Sequence, residues 1–337
     1  MQKDLHKIII SRTDGIGDVI LTLPIISIIK KYYPNVIITF LTKIYTKPII
    51  ECCKNIDEII IWQPEITEKE QINLLKNTKA SAIIHVFPSK QIAKAAYKAN
   101  IPIRIGSSHR WFHLFTCNKL VHFTRKRSSL HEAQLNMKLL KPLYINTILE
   151  LKNIPQLYSL KVKNTLTPSL KSLLSKNLFN LILHPKTKGS AREWGIENYK
   201  ELIKLLPANK YKIFITGTKE EQNEIMPLLE NTHENVIDLT GKITLSELIS
   251  FINEADGIIA CSTGPLHIAA ALNKVAIGIF PPIKPMHPGR WAPIGDKAQV
   301  IYKNIKCSKC RKSKICECIT TIKPQDVINL LEKTINS

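Results

Sequence analysis

The chain has 337 residues, 44% of them apolar and 22% charged. That balance suits two globular domains with real cores and excludes a disordered chain or a membrane-embedded bundle. Lys and Arg number 48 against 27 Asp and Glu, a net charge of +21, which predicts a polyanionic partner or surface: nucleic acid, anionic lipid or a phosphorylated substrate.

The first predicted strand is Lys7–Ser11. It breaks at Ser11-Arg12-Thr13-Asp14-Gly15-Ile16-Gly17-Asp18 and runs into a helix expected over 17–31. Pro24 removes a backbone donor there and should kink that helix. Strands at 36–41, 58–62, 80–86 and 104–106 then alternate with helices at 46–53, 69–76, 91–99 and 131–140. Residues 71–131 contain no Asp or Glu, yet hold Lys76, Lys79, Lys90, Lys94, Lys98, Arg104, Arg110, Lys119, Arg125, Lys126 and Arg127. A Lys-rich composition adds cations but does not remove every carboxylate, so the span predicts an anion-steering face.

Residues 146–174, with Pro155 and Pro168, lack periodicity and read as a linker. A second unit follows, with strands at 179–183, 211–216, 236–238, 257–261 and 275–280. Helices at 196–206, 219–230, 244–255 and 266–272 separate them, and an amphipathic helix at 324–336 ends the chain. Strands alternating with helices at this spacing predict parallel α/β sheets. The expected domains are 1–160, 161–323 and a terminal helix, 324–337, packing back on the first domain. No signal peptide or membrane span is evident, which predicts a cytoplasmic location.

Four of the eight cysteines, Cys52, Cys53, Cys117 and Cys261, sit in apolar contexts and read as small buried residues. Cys307-x-x-Cys310 and Cys316-x-Cys318 read either as a structural metal site or as unmetallated thiols, since the second spacing is shorter than usual for zinc.

Candidate chemistry concentrates after strands. Asp14 and Asp18 flank the first turn, as helix caps or as a general base at a strand's carboxyl end. Thr13 and Gly15 share that turn. His184-Pro185-Lys186-Thr187-Lys188-Gly189-Ser190-Ala191-Arg192-Glu193-Trp194 opens the second unit with three cations suited to a diphosphate. Gly217-Thr218-Lys219-Glu220-Glu221 offers a carboxylate for a ribose diol or a helix cap. Ser262-Thr263-Gly264-Pro265-Leu266-His267 joins strand to helix and presents unpaired amides to an anion. Gly15-Ile16-Gly17 lacks the third glycine of a dinucleotide fingerprint, and no P-loop or Asp-x-Asp metal motif occurs.

In their order, these segments resemble glycosyltransferase family 9, the lipopolysaccharide heptosyltransferases. The matching pieces are Arg12 to Val19 with Pro24, His131, His184-Pro185 with Arg192 and Trp194, Gly217 with Glu221, Leu239-Thr240-Gly241-Lys242, and Ser262 to Leu272. The resemblance implies a GT-B fold: two Rossmann-like domains with parallel sheets facing a central cleft. It implies an inverting, metal-independent transfer of heptose from ADP-heptose to a lipopolysaccharide inner-core acceptor, without a cofactor. Asp18 matches the general base. Lys186, Lys188, Arg192, Glu221, Ser262, Thr263, Gly264, Pro265, Leu266 and His267 are the expected donor-binding residues. Thr13, Asp14, Gly15, Arg104 and Arg110 are expected to bind a phosphorylated lipid A–inner core acceptor, with peripheral contact at the inner membrane's cytoplasmic face and no nucleic acid. Many members carry Asp where this chain has Ser262, so the transferred sugar is heptose or a related sugar. The competing readings are a sugar-nucleotide epimerase of the same architecture and a nucleic-acid binder using the 71–131 span.

Overall fold

The computed structural model describes residues 5–125, 128–189, 191–230, 232–305, 307, 310 and 316–337. Lys126, Arg127 and Ser190, named above, lie outside the described residues. The chain divides into two compact units, Met1–Lys161 and Val162–Ser337, one residue from the expected boundary.

The first unit holds β1 (Lys7–Ser11), β2 (Ile37–Thr42), β3 (Glu58–Ile61), β4 (Ala82–His85), β5 (Ile103–Ser107) and β6 (Lys119–Val121). All pair in parallel, in the order β3-β2-β1-β4-β5-β6. The second holds β7 (Phe179–His184), β8 (Tyr211–Ile215), β9 (Val236–Asp238), β10 (Gly257–Cys261), β11 (Val275–Ile279) and β12 (Ala298–Ile301). These are also parallel, in the order β12-β11-β10-β7-β8-β9. Both units are therefore doubly wound, as expected. The order reverses between β1 and β4 in one sheet and between β7 and β10 in the other. A doubly wound sheet opens a crevice at the carboxyl ends of such strands, because the crossovers leave to opposite faces.

The central strands read as continuous apolar runs because helices cover both faces. Ile8, Ile9, Ile10, Ile83 and Ile84 are wholly buried, as are Leu181, Ile182, Leu183, Ile258 and Ile259. Burying one such side chain stabilises by about 1.5–3 kcal/mol.

Four expectations change. The helix expected over 17–31 is two helices, Ile16–Ile20 and Leu23–Tyr32. Pro24 lies in the first turn of the second helix, where no intrahelical donor is lost. Residues 219–230 form three short turns rather than one helix, the last being Met226–Leu229 around Pro227. Strands β6 and β12 escaped the sequence reading because both are short edge strands (Lys119-Leu-Val and Ala298-Gln-Val-Ile) with weak patterns. Finally, the Pro324–Ile335 helix, expected against the first domain, is grouped with the second unit. It packs on the Ile196–Leu205 helix, β11 and β12, and buries Val327, Ile328 and Leu331 in the core of the second unit.

Candidate functional site

The turn after β1 is organised by one buried arginine. Arg12 follows the last residue of β1, and its backbone N–H continues the ladder to the Leu41 carbonyl at 3.0 Å. Its Nε donates to Asp14 Oδ1 at 2.7 Å, its Nη2 donates to Asp18 Oδ1, and its Nη1 donates to Glu132 Oε1 at 3.3 Å. Arg125 Nε reaches the same Glu132 oxygen at 2.9 Å, while its Nη2 donates to Asn136 Oδ1 and to the Val86 carbonyl. Asn136 in turn donates to the Leu21 carbonyl at 3.1 Å. The Glu132–Lys138 helix thus pins the turn from 120 residues away.

Asp18 is the third residue of the Ile16–Ile20 helix, and Gly15 is its N-cap. A Cβ on Gly15 would stand 3.1 Å from Asp18 Oδ2, so a bare glycine keeps that oxygen uncrowded. The Asp18 side chain is 25% exposed, against 3% for Arg12. One oxygen is held by the guanidinium and the carboxylate still reaches solvent. This is what a positioned proton acceptor needs.

Arg12 and Arg125 face three acids, Asp14, Asp18 and Glu132, so the cluster is negative once Asp14 ionises. Burial opposes the charged form of Arg12, but Asp14, Asp18 and Glu132 outweigh it and push its pKa up. Burial raises Asp14 to about 7; Arg12 pulls it down, and the Asp18 carboxylate pushes it further up. Asp14 therefore titrates near neutrality beside Asp18. Tyr45 donates its hydroxyl to the Asp14 carbonyl, and burial and the two aspartates raise its pKa.

In the second unit the turn after β10 is built differently. Ser262 and Thr263 lead into the Gly264–Ala271 helix, with Thr263 as N-cap and Pro265 in the first turn. The Thr263 side chain makes no capping hydrogen bond, and its buried Oγ1 has no partner among the described residues. Leu266 packs where Gly278 has no side chain: a Cβ there would lie 3.0 Å from Leu266 Cδ2. His267 is buried one turn into the helix, its N–H 3.5 Å from the Thr263 carbonyl. A helix start with unsatisfied donors and a positive dipole end favours an anion.

The cationic loop after β7 departs from the expectation. Lys186 is buried and donates to Glu193 Oε2 at 2.5 Å and Glu224 Oε2 at 2.6 Å. Burial would lower its pKa, but the two glutamates outweigh that and raise it. Lys188 is exposed, 3.9 Å from Glu220. Together with Thr218 and Glu221 these residues line a cavity of about 560 Å³. Four glutamates against two lysines make that cavity a poor diphosphate site as it stands. Arg192 is turned away as well, its Nη2 donating to the Cys310 carbonyl at 3.1 Å. Glu221 is buried and caps its own turn, accepting the Thr218 N–H at 2.8 Å. Gly217 beside it leaves room for Ile225, since a Cβ there would meet Ile225 Cδ1 at 2.4 Å. His184 pairs with Thr216 Oγ1 at 3.0 Å, and burial lowers its pKa to about 4, so it is neutral. Trp194 is wholly buried, with Nε1 donating to the Ile322 carbonyl.

Of the expected acceptor residues, Thr13, Asp14 and Gly15 form the β1 turn, and Arg110 is exposed just beyond the carboxyl end of β5. Arg104 is corrected. It is the second residue of β5, at the opposite end of the sheet, and its guanidinium is engaged by the carbonyls of Thr116 and Ile101. The sequence reading missed Glu132 and Tyr45, and took Arg125 as part of an anion-steering face, where it instead pairs with Glu132. No local pattern links them to Arg12; only the unpaired look of a lone arginine after a buried strand hinted at distant carboxylates.

The family model described as glycosyltransferase family 9 (heptosyltransferase) matches residues 73–319. Lipopolysaccharide heptosyltransferase 2 of Escherichia coli K12 is 23% identical over 356 aligned positions, covering 96% of this chain and 97% of the relative. Among solved structures, a glycosyl transferase family 9 protein from Veillonella parvula superposes with a TM-score of 0.79 at 20% identity, covering 100% and 99% of the two chains. The E. coli heptosyltransferase WaaC, solved with ADP-2-deoxy-2-fluoro heptose, gives a TM-score of 0.72 at 16% identity, covering 98% and 100%.

Proposed function

The chain belongs to glycosyltransferase family 9, and from that premise we propose that it moves heptose, or a related sugar, from ADP-heptose to a phosphorylated inner-core lipopolysaccharide acceptor. Transfer inverts the anomeric centre in a single displacement. Asp18 takes the proton of the acceptor hydroxyl as that oxygen attacks, and ADP leaves with the electrons of the broken bond. No metal is assigned to the reacting centre: the charge developing on the diphosphate is met by the amides at the start of the Gly264–Ala271 helix. The WaaC complex with an ADP-heptose analogue supports the choice of donor.

The observation that carries this reading is the contrast between two strand–turn–helix junctions. The one after β1 carries more acids than cations and a partly exposed carboxylate. The one after β10 carries uncapped amides and a buried, unpaired hydroxyl. A proton acceptor belongs on the first and a diphosphate on the second, because a carboxylate repels phosphate.

The acceptor side also bears the means to meet an anionic membrane. Trp111, Leu114 and Phe115 are 62%, 54% and 74% exposed. Lys90 Nζ stands 4.9 Å from the Trp111 ring centre, and Arg110 adjoins it. Aromatic and aliphatic side chains rimmed by cations suit a lipid headgroup boundary. Among the described residues no helix is long and apolar enough to cross a membrane, so the contact proposed is peripheral, on the cytoplasmic face.

The test is a transfer assay with the full chain, without added Mg²⁺ or Mn²⁺, using ADP-heptose and UDP-sugars against a phosphorylated inner-core acceptor. ADP release coupled to a new, inverted glycosidic bond in the NMR spectrum is expected. Preference for a UDP-sugar, or retention of configuration, overturns the reading.

A further inference from the structure

The chemistry above makes no use of the cysteines near the end of the chain, yet the fold gathers them. Cys310 Sγ lies 3.2 Å from Cys307 Sγ, 3.5 Å from Cys318 Sγ and 2.9 Å from Cys316 Sγ. The sulfurs of Cys307, Cys310 and Cys318 all fall within 4.8 Å of one another. Cys310, Cys316 and Cys318 are buried and Cys307 is half-buried. Three sulfurs within 4.8 Å of one another, with the fourth beside Cys310, supply the ligand count of a tetrathiolate. Tetrahedral ligands about 2.3 Å from a zinc ion stand about 3.8 Å apart, against 2.9 to 3.5 Å from Cys310 to each of the other sulfurs.

We infer that Cys307, Cys310, Cys316 and Cys318 bind one divalent transition-metal ion, zinc or iron, as a closed tetrathiolate site. Soft thiolates in a tetrahedral set select those metals over calcium or magnesium. Binding replaces four S–H protons with four metal–sulfur bonds and releases the protons to solvent, leaving a centre of net charge −2. Lys306, Lys309, Arg311, Lys312 and Lys314 neighbour these cysteines in the sequence. Arg192 adds a cation at the edge of the site through its hydrogen bond to the Cys310 carbonyl.

The site has a structural consequence in the second unit. The segment that holds Cys316 and Cys318 accepts Asn198 Nδ2 at the Thr320 carbonyl (2.8 Å) and Trp194 Nε1 at the Ile322 carbonyl (2.9 Å). Arg192, Trp194 and Asn198 flank the stretch between β7 and its following helix. Metal binding therefore clamps the loop carrying Lys186 and Lys188, whichever sugar is transferred. Arg192 acts here as a positioning residue.

The test is elemental analysis of the untagged full chain purified without chelator, with thiol counting during metal release by a mercurial. One equivalent of zinc or iron per chain is expected, released as four thiols titrate. The Cys310→Ser/Cys318→Ser variant should hold less than a tenth of that metal. Because that variant can unfold, the parent chain is also grown with cobalt. A tetrahedral cobalt–thiolate spectrum, with intense near-ultraviolet charge-transfer bands, is then expected. Absence of metal from the parent chain, release with fewer than three thiols, or two irons with inorganic sulfide overturns the assignment.

Discussion

The junction after β1 and the junction after β10 share one backbone device and opposite electrostatics. Each is a buried parallel strand ending at a topological switch point, a short turn, and a helix start. After β1, three carboxyl groups surround a buried guanidinium and outnumber the cations beside them. After β10, the turn from Ser262 to His267 carries no carboxylate, and the Thr263 hydroxyl has no partner. The backbone decides where a ligand goes, and the side chains decide which sign of charge it carries. A glycosyl transfer needs both signs, because it removes a proton from one substrate and delivers negative charge to the leaving group of the other.

The largest break in that comparison comes from Asp18→Asn. Loss of the proton acceptor should lower kcat by about 10²- to 10⁴-fold, while calorimetric affinity for ADP stays within about twofold. A fully active variant would place the base elsewhere. Arg12→Met should act on stability instead. It leaves three carboxylates without their shared cation and should cost about 3–5 kcal/mol in urea unfolding. Unchanged stability would mean that the network is not held as described.

Thr263→Val sharpens the second half of the contrast, since two readouts should move in opposite directions. Removing a buried hydroxyl without a partner should leave thermal stability unchanged or raised. Losing a donor to the diphosphate should weaken ADP binding by up to about tenfold. A variant that binds ADP as well as the parent would exclude Thr263 from the donor site.

The smallest effect is in pH dependence. Asp14 holds its proton to about 7 in the folded chain, against 3.8 for an ordinary aspartate. The folded state therefore binds more protons than the unfolded state between those values. Its contribution to stability is full below about 4, declines as pH rises to 7, and is flat above. Asp14→Asn should flatten that slope in denaturation curves measured from pH 4 to 8. It should also remove an inflection near pH 7 in kcat/KM that tracks loss of the Asp14 proton.

The doubly wound sheets were legible because their signals are local. An apolar run such as Ile8-Ile9-Ile10 can only be a buried strand if helices cover both faces, and glycine-rich turns mark its end. Pro24 announced a break in the first helix, although its place is the start of a second helix. The edge strands β6 and β12 were invisible because a strand paired on one side needs little apolar pattern. The turns holding Asp14, Asp18 and Ser262–His267 were readable from spacing as strand–turn–helix junctions, helix caps or ligand sites alike; the roles proposed for them came from the family resemblance.

What the chain determined by itself was the set of junctions: which strands end in acids, which in basic loops, and which in a proline-started helix. Tertiary structure decided the partners. Lys186 looked like a phosphate cation until folding set Glu193 and Glu224 against it. Arg192 looked like another until it met the Cys310 carbonyl, 118 residues on. Arg12 had no evident role until Glu132 arrived from the Glu132–Lys138 helix. A side chain's conformational preference is local, but the charge it neutralises lies wherever the fold brings an opposite charge within about 4 Å.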